Sequence, residues 1–130
     1  MSRDGIFAVA ATAAVLIGLA LGFHGAGSPG LQRLANMDQV RIEDLNLISQ
    51  AVRRHYAAFG TLPATLANLG NGFDLRLNDP ETRMVYEYRP LDERRFQLCA
   101  VFSTDNRTEA QRSPRDRAHG AGRQCFTYPE

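Results

Sequence analysis

The sequence predicts an α+β fold, in which an N-terminal transmembrane helix precedes a long amphipathic helix packed on a small antiparallel β-sheet of about three strands. Three observations support this prediction. Gly5–Phe23 is apolar and contains no charged residue. Apolar residues recur at three- and four-residue steps from Ile42 to Phe59. Two later runs, residues 84–89 and 95–102, alternate in the manner of half-buried strands.

Length and charge limit the classes of protein that fit this chain. Its 130 residues leave room for one small domain after the apolar helix. The net charge of +1 provides no overall field that would attract nucleic acid, so we expect no nucleic-acid partner. All 15 basic residues are arginine and alanine is abundant, a composition associated with GC-rich bacterial genomes.

The apolar N-terminal segment predicts a membrane anchor formed by residues 1–24. A helix over Gly5–Phe23 spans roughly 28 Å, close to the thickness of a bilayer hydrocarbon core. The alternative, a cleaved signal peptide, is less favoured because the start has balanced charges and residues 22–26 are a poor cleavage site. Arg3 precedes the helix and the next arginine is Arg33, so we expect a cytoplasmic N-terminus and a periplasmic domain at a bacterial inner membrane.

A flexible linker is predicted next, over residues 25–35, because residues 25–30 are rich in glycine and contain Pro29. A domain over residues 36–130 follows. Its first helix is capped by Asn36 or Asp38 and ends near Phe59, with Gly60 just beyond it. One face of this helix is predicted to lie in the core and comprises Ile42, Leu45, Ile48, Val52, Tyr56 and Phe59.

Two proline-containing turns separate this helix from the sheet. Pro63 suits the first turn of a short helix that ends at Gly70. Asp79 and Pro80 then predict a tight turn ahead of the first strand. This turn motif comprises Asp79, Pro80, Thr82, Tyr86 and Tyr88.

The second strand, residues 95–102, is predicted to direct Phe96 and three further apolar side chains to the core, with Cys99 on the other face. A short third strand is predicted over residues 125–128. In an exported domain Cys99 and Cys125 would form a disulfide that closes a loop of about 25 residues and stabilises the fold by roughly 3 to 4 kcal/mol. The alternative is a pair of free buried thiols in a cytosolic domain.

No pattern in the sequence predicts catalysis, a cofactor or a metal centre. The nucleophile, zinc and phosphate-loop motifs are absent, and His24, His55 and His119 do not have zinc-ligand spacing. A calcium site near the Asp-Pro turn is an alternative use of the acidic residues there, although their spacing matches no EF-hand loop. The arginine-rich residues 103–124 are expected to form a solvated loop, with recognition of an anionic partner as the alternative.

The order of these motifs resembles the type IV pilin-like and type II secretion pseudopilin family. An apolar N-terminal helix, an amphipathic helix ending in Tyr56-x-x-Phe59-Gly60, the Leu62-Pro63 segment, and Asp79-Pro80 ahead of Tyr86-Glu87-Tyr88 follow one another in residues 5–102. More closely, the DP-x-T, YEYR and LCAxF pattern resembles uncharacterised bacterial single-pass membrane proteins. The resemblance implies the fold and the exported topology first. It implies a secretion or filament role second, because Ala10 stands where a pilin cut after Gly5 would carry a glutamate.

Three functions follow as expectations. The first is a non-enzymatic structural or interaction component of a secretion or pilus-like assembly, with protein partners or further copies of itself. The second is an accessory subunit that docks on another membrane complex through its single helix. The third is a soluble periplasmic binding domain released by signal cleavage, whose small-molecule ligand the sequence does not identify.

Overall fold

The computed structural model describes residues 3–25, 28–69, 75–110 and 117–129. The chain divides into two compact units, Met1–Gln32 and Arg33–Glu130. The described elements, in order, are α1 (Arg3–Gly25), α2 (Pro29–Phe59), a 3₁₀ turn (Leu66–Leu69), β1 (Glu87–Pro90), β2 (Arg95–Phe102), α3 (Arg107–Ala110) and β3 (Gly122–Pro129). The α+β fold class is therefore confirmed.

Helix α1 has the length and composition of a membrane-spanning segment. Its Gly5–Phe23 portion contains 19 residues with a mean hydropathy of 2.4, and its most apolar stretch is not buried at all. It is the one helix in the described parts of the chain that meets both criteria. A signal sequence near an N-terminus has the same length and composition.

Helix α2 begins at Pro29 rather than at Asn36 or Asp38, so much of the expected 25–35 linker is helical. The Ser28 hydroxyl accepts the Leu31 N–H at 3.3 Å, and Pro29 takes the first helical position, where a missing N–H costs nothing. The Ser-Pro pair that suggested a break is thus the start of the helix.

Helix α2 ends where predicted. At this end Gly60, with φ of 73°, donates its N–H to Tyr56 O at 2.7 Å, as expected for a glycine that ends a helix.

The three strands form one antiparallel sheet in the order β1-β2-β3. β1 is shorter than expected and begins at Glu87, because the residues before it pair elsewhere. Val85 forms an isolated bridge with Asn78, and Tyr86 N–H donates to Leu77 O at 2.9 Å. The Asp-Pro turn therefore closes a small hairpin of its own, which leads directly into the sheet.

The core of the second unit lies between α2 and one face of the sheet. It includes Leu66 from the 3₁₀ turn and the four inward residues predicted for β2. Its members are Ile42, Leu45, Ile48, Val52, Leu66, Tyr86, Phe96, Leu98, Ala100, Phe102 and Tyr128.

The predicted apolar face of α2 is wrong at its C-terminal end. Phe59 is 71 % exposed, and Tyr56 is only half-buried. Arg53 Nε donates to Pro129 O at 3.1 Å, at the last residue of β3, so the helix has reached the end of the sheet by this point. Beyond it no strand of the described chain covers the face, and the Phe59 ring packs on His55 with centroids 4.7 Å apart.

The arginine-rich segment expected to be a loop contains regular structure. α3 occupies Arg107–Ala110 and β3 begins at Gly122, three residues before the predicted third strand. Residues 111–116, Gly70 and Asp74 lie outside the described part of the chain.

The boundary of the core predicts a contrast between two residues of α2. Leu45→Ala should lower the free energy of unfolding by about 2–5 kcal/mol, because Leu45 is fully buried and its truncation leaves a cavity. Phe59→Ser should change it by less than about 0.5 kcal/mol, because Phe59 is exposed. Urea unfolding of the full-length chain in detergent, followed by tyrosine fluorescence, measures both. Equal losses in the two variants would contradict this boundary.

Candidate functional site

The most elaborate polar arrangement of the domain surrounds Arg41 on α2. Although Arg41 is charged, only 1 % of it is exposed. Its Nε donates to Asp79 Oδ2 at 2.6 Å, and its Nη2 donates to Glu81 Oε2 at 2.7 Å. Its Nη1 donates to Asp38 Oδ1 at 2.8 Å and to the Ser103 hydroxyl at 3.0 Å. One guanidinium thus joins α2, the Asp-Pro turn and the end of β2.

Asp38 secures the far side of this cluster. Its carboxylate accepts the Ser103 N–H at 2.9 Å, and it accepts both the N–H and the hydroxyl of Thr104 at 2.7 Å. Burial alone would raise the pKa of Asp38, but the hydrogen bonds from Ser103, Thr104 and Arg41 outweigh burial and lower it. Asp38 is therefore a charged anchor for the chain where it leaves β2.

The predicted Asp-Pro turn is present, and its aspartate has a second role. Asp79 Oδ1 accepts the N–H groups of Glu81 and Thr82, each at 2.9 Å, which is the local chemistry expected of the turn. The same carboxylate holds Arg41. Burial opposes ionisation, but the hydrogen bonds from Arg41, Thr82 and Glu81 are together stronger and lower the pKa of Asp79 to about 2.

Arg83 closes this turn with a left-handed backbone, at φ of 61°. Its N–H donates to Asp79 O at 3.0 Å, and the Asp79 N–H donates to Met84 O at 2.8 Å. A non-glycine residue incurs about 1 kcal/mol of strain in this region. The turn is thus held in a costly conformation that aims the Asp79 carboxylate at Arg41.

The two tyrosines of the turn motif bind elsewhere. Tyr86 donates its hydroxyl to Asp44 Oδ2 at 2.9 Å, and Tyr88 donates its hydroxyl to Pro63 O at 2.9 Å. Burial raises the pKa of both, that of Tyr88 to about 12. Burial also raises the pKa of Asp44, more than the Tyr86 hydrogen bond lowers it. Asp79, Tyr86 and Tyr88 of the motif therefore make separate attachments to α2 and to the Pro63 segment, rather than forming one site.

The predicted disulfide is confirmed. Cys99 and Cys125 are directly opposite each other in the β2–β3 ladder and are bonded. On the same face Arg123 donates from Nε and Nη2 to the two Glu87 oxygens, at 2.9 and 2.6 Å, so a bidentate pair spans from β3 to β1. The hydrogen bonds from Arg123 lower the pKa of Glu87, and they outweigh the small effect of burial, which raises it.

The described arginines of residues 103–124 all have partners within the chain. Arg107 pairs with Asp105, and Arg123 pairs with Glu87. The guanidinium of Arg117 lies over the rings of Phe126 and Tyr128, at 4.8 and 4.6 Å from their centroids. Each of these three arginines thus has a partner within the chain. The other two arginines of the segment lie outside the described residues.

A shallow apolar groove of about 340 Å³ lies between the 3₁₀ turn and the start of β1. Its walls include Leu66, Leu77, Val85 and Tyr88. The Tyr88 hydroxyl is already bound to Pro63 O.

The described residues contain no metal centre. No group of three or more histidine, cysteine or acidic side chains arranged to bind a metal occurs among them. For the calcium alternative, Asp79 and Glu81 are bound to Arg41, and Asp74 lies outside the described residues.

The Arg41 cluster was not predicted from the sequence, because the predicted core face of α2 begins at Ile42 and contains only apolar and aromatic residues. A signal was nevertheless present. Asp38 and Arg41 continue the three- and four-residue steps of Leu45, Ile48 and Val52 toward the N-terminus, so they fall on the buried stripe. A charged pair on a buried stripe requires partners from elsewhere in the fold.

Comparisons of the chain with protein-family models, with curated proteins and with solved structures found no match.

The Arg41 cluster predicts a large effect of removing its cation. Arg41→Met should lower the free energy of unfolding by about 3–5 kcal/mol, because it leaves the buried carboxylates of Asp38 and Asp79 without their counter-charge. The matched control is Arg33→Met on the exposed part of the same helix, which should change it by less than about 0.5 kcal/mol. Urea unfolding of the full-length chain in detergent measures both, and a loss below about 1 kcal/mol for Arg41→Met would contradict the role given to the cluster.

The opposite pKa shifts of two buried aspartates predict opposite responses to pH. The folded-state pKa of Asp79, about 2, lies below its unfolded value of about 3.9, so its contribution of about 2 kcal/mol is present above about pH 4 and is lost as the pH falls toward about 2. The raised pKa of Asp44 gives a contribution that is present at low pH and is lost as the pH rises.

Asp79→Asn should therefore lower stability at neutral pH and flatten its acid dependence. Asp44→Asn should leave stability at neutral pH equal or higher, because its amide oxygen still accepts the Tyr86 hydroxyl without a buried charge. Unfolding free energies measured from about pH 2 to about pH 7 for both variants test the pair. A destabilised Asp44→Asn at neutral pH would show that Asp44 is stabilised as a carboxylate.

Proposed function

We propose that this chain is a non-enzymatic, single-pass inner-membrane protein whose exported α+β domain acts as a structural or interaction component, in the manner of the pilin-like proteins of secretion or pilus-like assemblies. The observation that carries the proposal is that no residue in the most apolar stretch of Gly5–Phe23 is buried. A soluble protein rarely leaves a continuous apolar surface of this size in water, whereas a lipid bilayer or a second apolar helix would cover it.

The disulfide supports export of the domain. Cys99 and Cys125 are bonded, and both cysteines of the chain are used in this bond. Disulfides persist in the periplasm and are rare in the reducing cytosol. Together with Arg3 ahead of the apolar helix, this favours a cytoplasmic N-terminus and a periplasmic domain.

The placement of the buried charges supports a structural role. A catalytic centre keeps its nucleophile, base or cation available to a substrate. Here Arg41 is bound by Asp38, Asp79 and Glu81, and Asp44 is bound by Tyr86. These groups stabilise the domain, and what remains for a partner is its outer surface.

A second function, an accessory subunit of another membrane complex, follows from the same exposed helix. A Cβ added at Gly18 or Gly22 would meet no atom within 4 Å outside the backbone of its own helix, so a second helix could approach closely along this side. Cross-linking in membranes separates the two functions. A ladder of homopolymers favours the pilin-like role, and one heterologous product favours the accessory role.

The topology predicts how introduced cysteines will react. Because both native cysteines are bonded, a new cysteine is the single free thiol of the chain. Ala58→Cys, on the exposed end of α2, should react with a membrane-impermeant maleimide in spheroplasts. Its matched control, Ser2→Cys, should react only after the membrane is permeabilised.

Mass spectrometry of the labelled full-length chain reads the result. The reverse pattern would contradict the proposed orientation. Labelling of both positions in intact spheroplasts would contradict a membrane crossing, and a shortened N-terminus would favour the released periplasmic domain.

A further inference from the structure

The two edges of the sheet differ in how well they are protected. On the β1 side, Tyr86 N–H donates to Leu77 O at 2.9 Å and Met84 O accepts the Asp79 N–H at 2.8 Å, so the residues just before β1 are already paired in the small hairpin. β1 itself is only four residues long and ends at Pro90, which has no N–H to offer. Short length and proline are devices that keep a strand edge from pairing with another chain.

The edge of β3 is less protected among the described residues, because its proline and its contact with Arg53 both lie at the last residue, Pro129. β3 runs for eight residues, and its ladder with β2 continues without a bulge from Arg95 opposite Pro129 to Phe102 opposite Gly122. No charged side chain other than Arg123 lies on the strand, and this one is held by Glu87 on the outer face. Among the described residues, the edge from Gly122 to Tyr128 is thus long, regular and unpaired.

The spacing of the disulfide shows which backbone groups face this edge. The Cα atoms of Cys99 and Cys125 are 4.0 Å apart, the close spacing of a pair that exchanges no backbone hydrogen bonds. The N–H and C=O of Cys125 therefore point away from β2, and so do those of Arg123 and Thr127, two residues to either side. Pro129 belongs to the same series, and its C=O indeed accepts from Arg53 instead of from β2.

We propose that the open edge of β3 pairs antiparallel with β3 of a second copy of this chain, so that the two sheets join into one across a two-fold axis. In the register that places Cys125 opposite Cys125 of the second copy, Arg123 of each copy lies opposite Thr127 of the other. Every outward N–H of these three residues then meets an outward C=O. Sliding one strand by two residues keeps the outward groups opposite one another. In one direction this shift places Thr127 opposite Ala121, which lies outside the strand. In the other direction it places Arg123 opposite Pro129, which lacks an N–H.

Charge favours the same arrangement. The centred register keeps the two Arg123 guanidinium groups apart, because each lies opposite a neutral threonine, and like charges directly opposite each other would be destabilising. The strand is thereby complementary to itself in hydrogen bonding and in charge. This inference goes beyond the proposed function, since it names the second copy as a partner and does not depend on the membrane.

The test removes one edge hydrogen bond without touching the fold. Thr127→Pro deletes an N–H that points away from β2, so the β2–β3 ladder is preserved, and Thr127→Ala is the matched control that keeps this N–H. Sedimentation of the full-length chain in detergent should give a protein mass of twice 14.4 kDa for the wild type and Thr127→Ala, and of 14.4 kDa for Thr127→Pro. Thermal unfolding of the two variants shows whether both are folded.

Amide hydrogen exchange on the wild-type chain provides an independent measurement. The N–H groups of Arg123, Cys125 and Thr127 should exchange at least about tenfold more slowly in concentrated than in dilute samples, because only pairing protects them. A dimer that persists in Thr127→Pro would place the interface elsewhere, for example on α1, and would overturn the proposal. Rapid exchange at all concentrations, or protection that appears only in native membranes with another protein bound, would also overturn it.

Discussion

A single buried cation organises the folded domain. The Arg41 guanidinium has negligible contact with water, and burying a charge without partners would cost more than the whole stability of a small domain. It is tolerable because its donors find carboxylates on three sides. Those carboxylates come from α2 itself and from a turn 38 residues further along the chain, and the Ser103 hydroxyl completes the set from beyond β2. Any arrangement that misplaces one of these segments leaves a buried charge unpaired.

Replacing such a cluster with apolar side chains often leaves a protein equally stable, so we expect this cluster to contribute to the specificity of the fold as well as to its stability. Leu45, Ile48 and Val52 could pack on a sheet in several rotations of α2 with similar burial. The Arg41 contacts favour one rotation, because they require the guanidinium to face both the Asp-Pro turn and Ser103. The hydrophobic stripe thus brings the helix to the sheet, and the charged pair at its N-terminal end fixes its rotation and register.

The features that sequence could predict are those with local causes. The β2 alternation, the Asp-Pro turn and the helix-ending Gly60 each depend on neighbours within a few residues, and each is found in the structure. Phe59 could not be placed, because helical periodicity tells which side faces inward but not where the sheet beneath it ends. The helical stripe includes Arg41, but its partner could not be identified, because Asp79 lies 38 residues further along the chain. The Ser28-Pro29 pair is ambiguous by itself, because the same two residues can break a helix or start one.

The two pairings of the sheet also impose an order on folding. β1 and β2 are joined by a tight loop in which the N–H of Leu91 donates to Arg95 O, so this hairpin closes at little entropic cost. β3 is contributed by a segment whose Cys125 lies 26 residues from Cys99, and its arrival requires a much larger loop to close. We therefore expect β3 to be the last strand to join during folding and, before oxidation, the first to leave. The Cys99–Cys125 bond joins β2 to β3. Once it has formed, β3 cannot leave the sheet unless the bond is reduced.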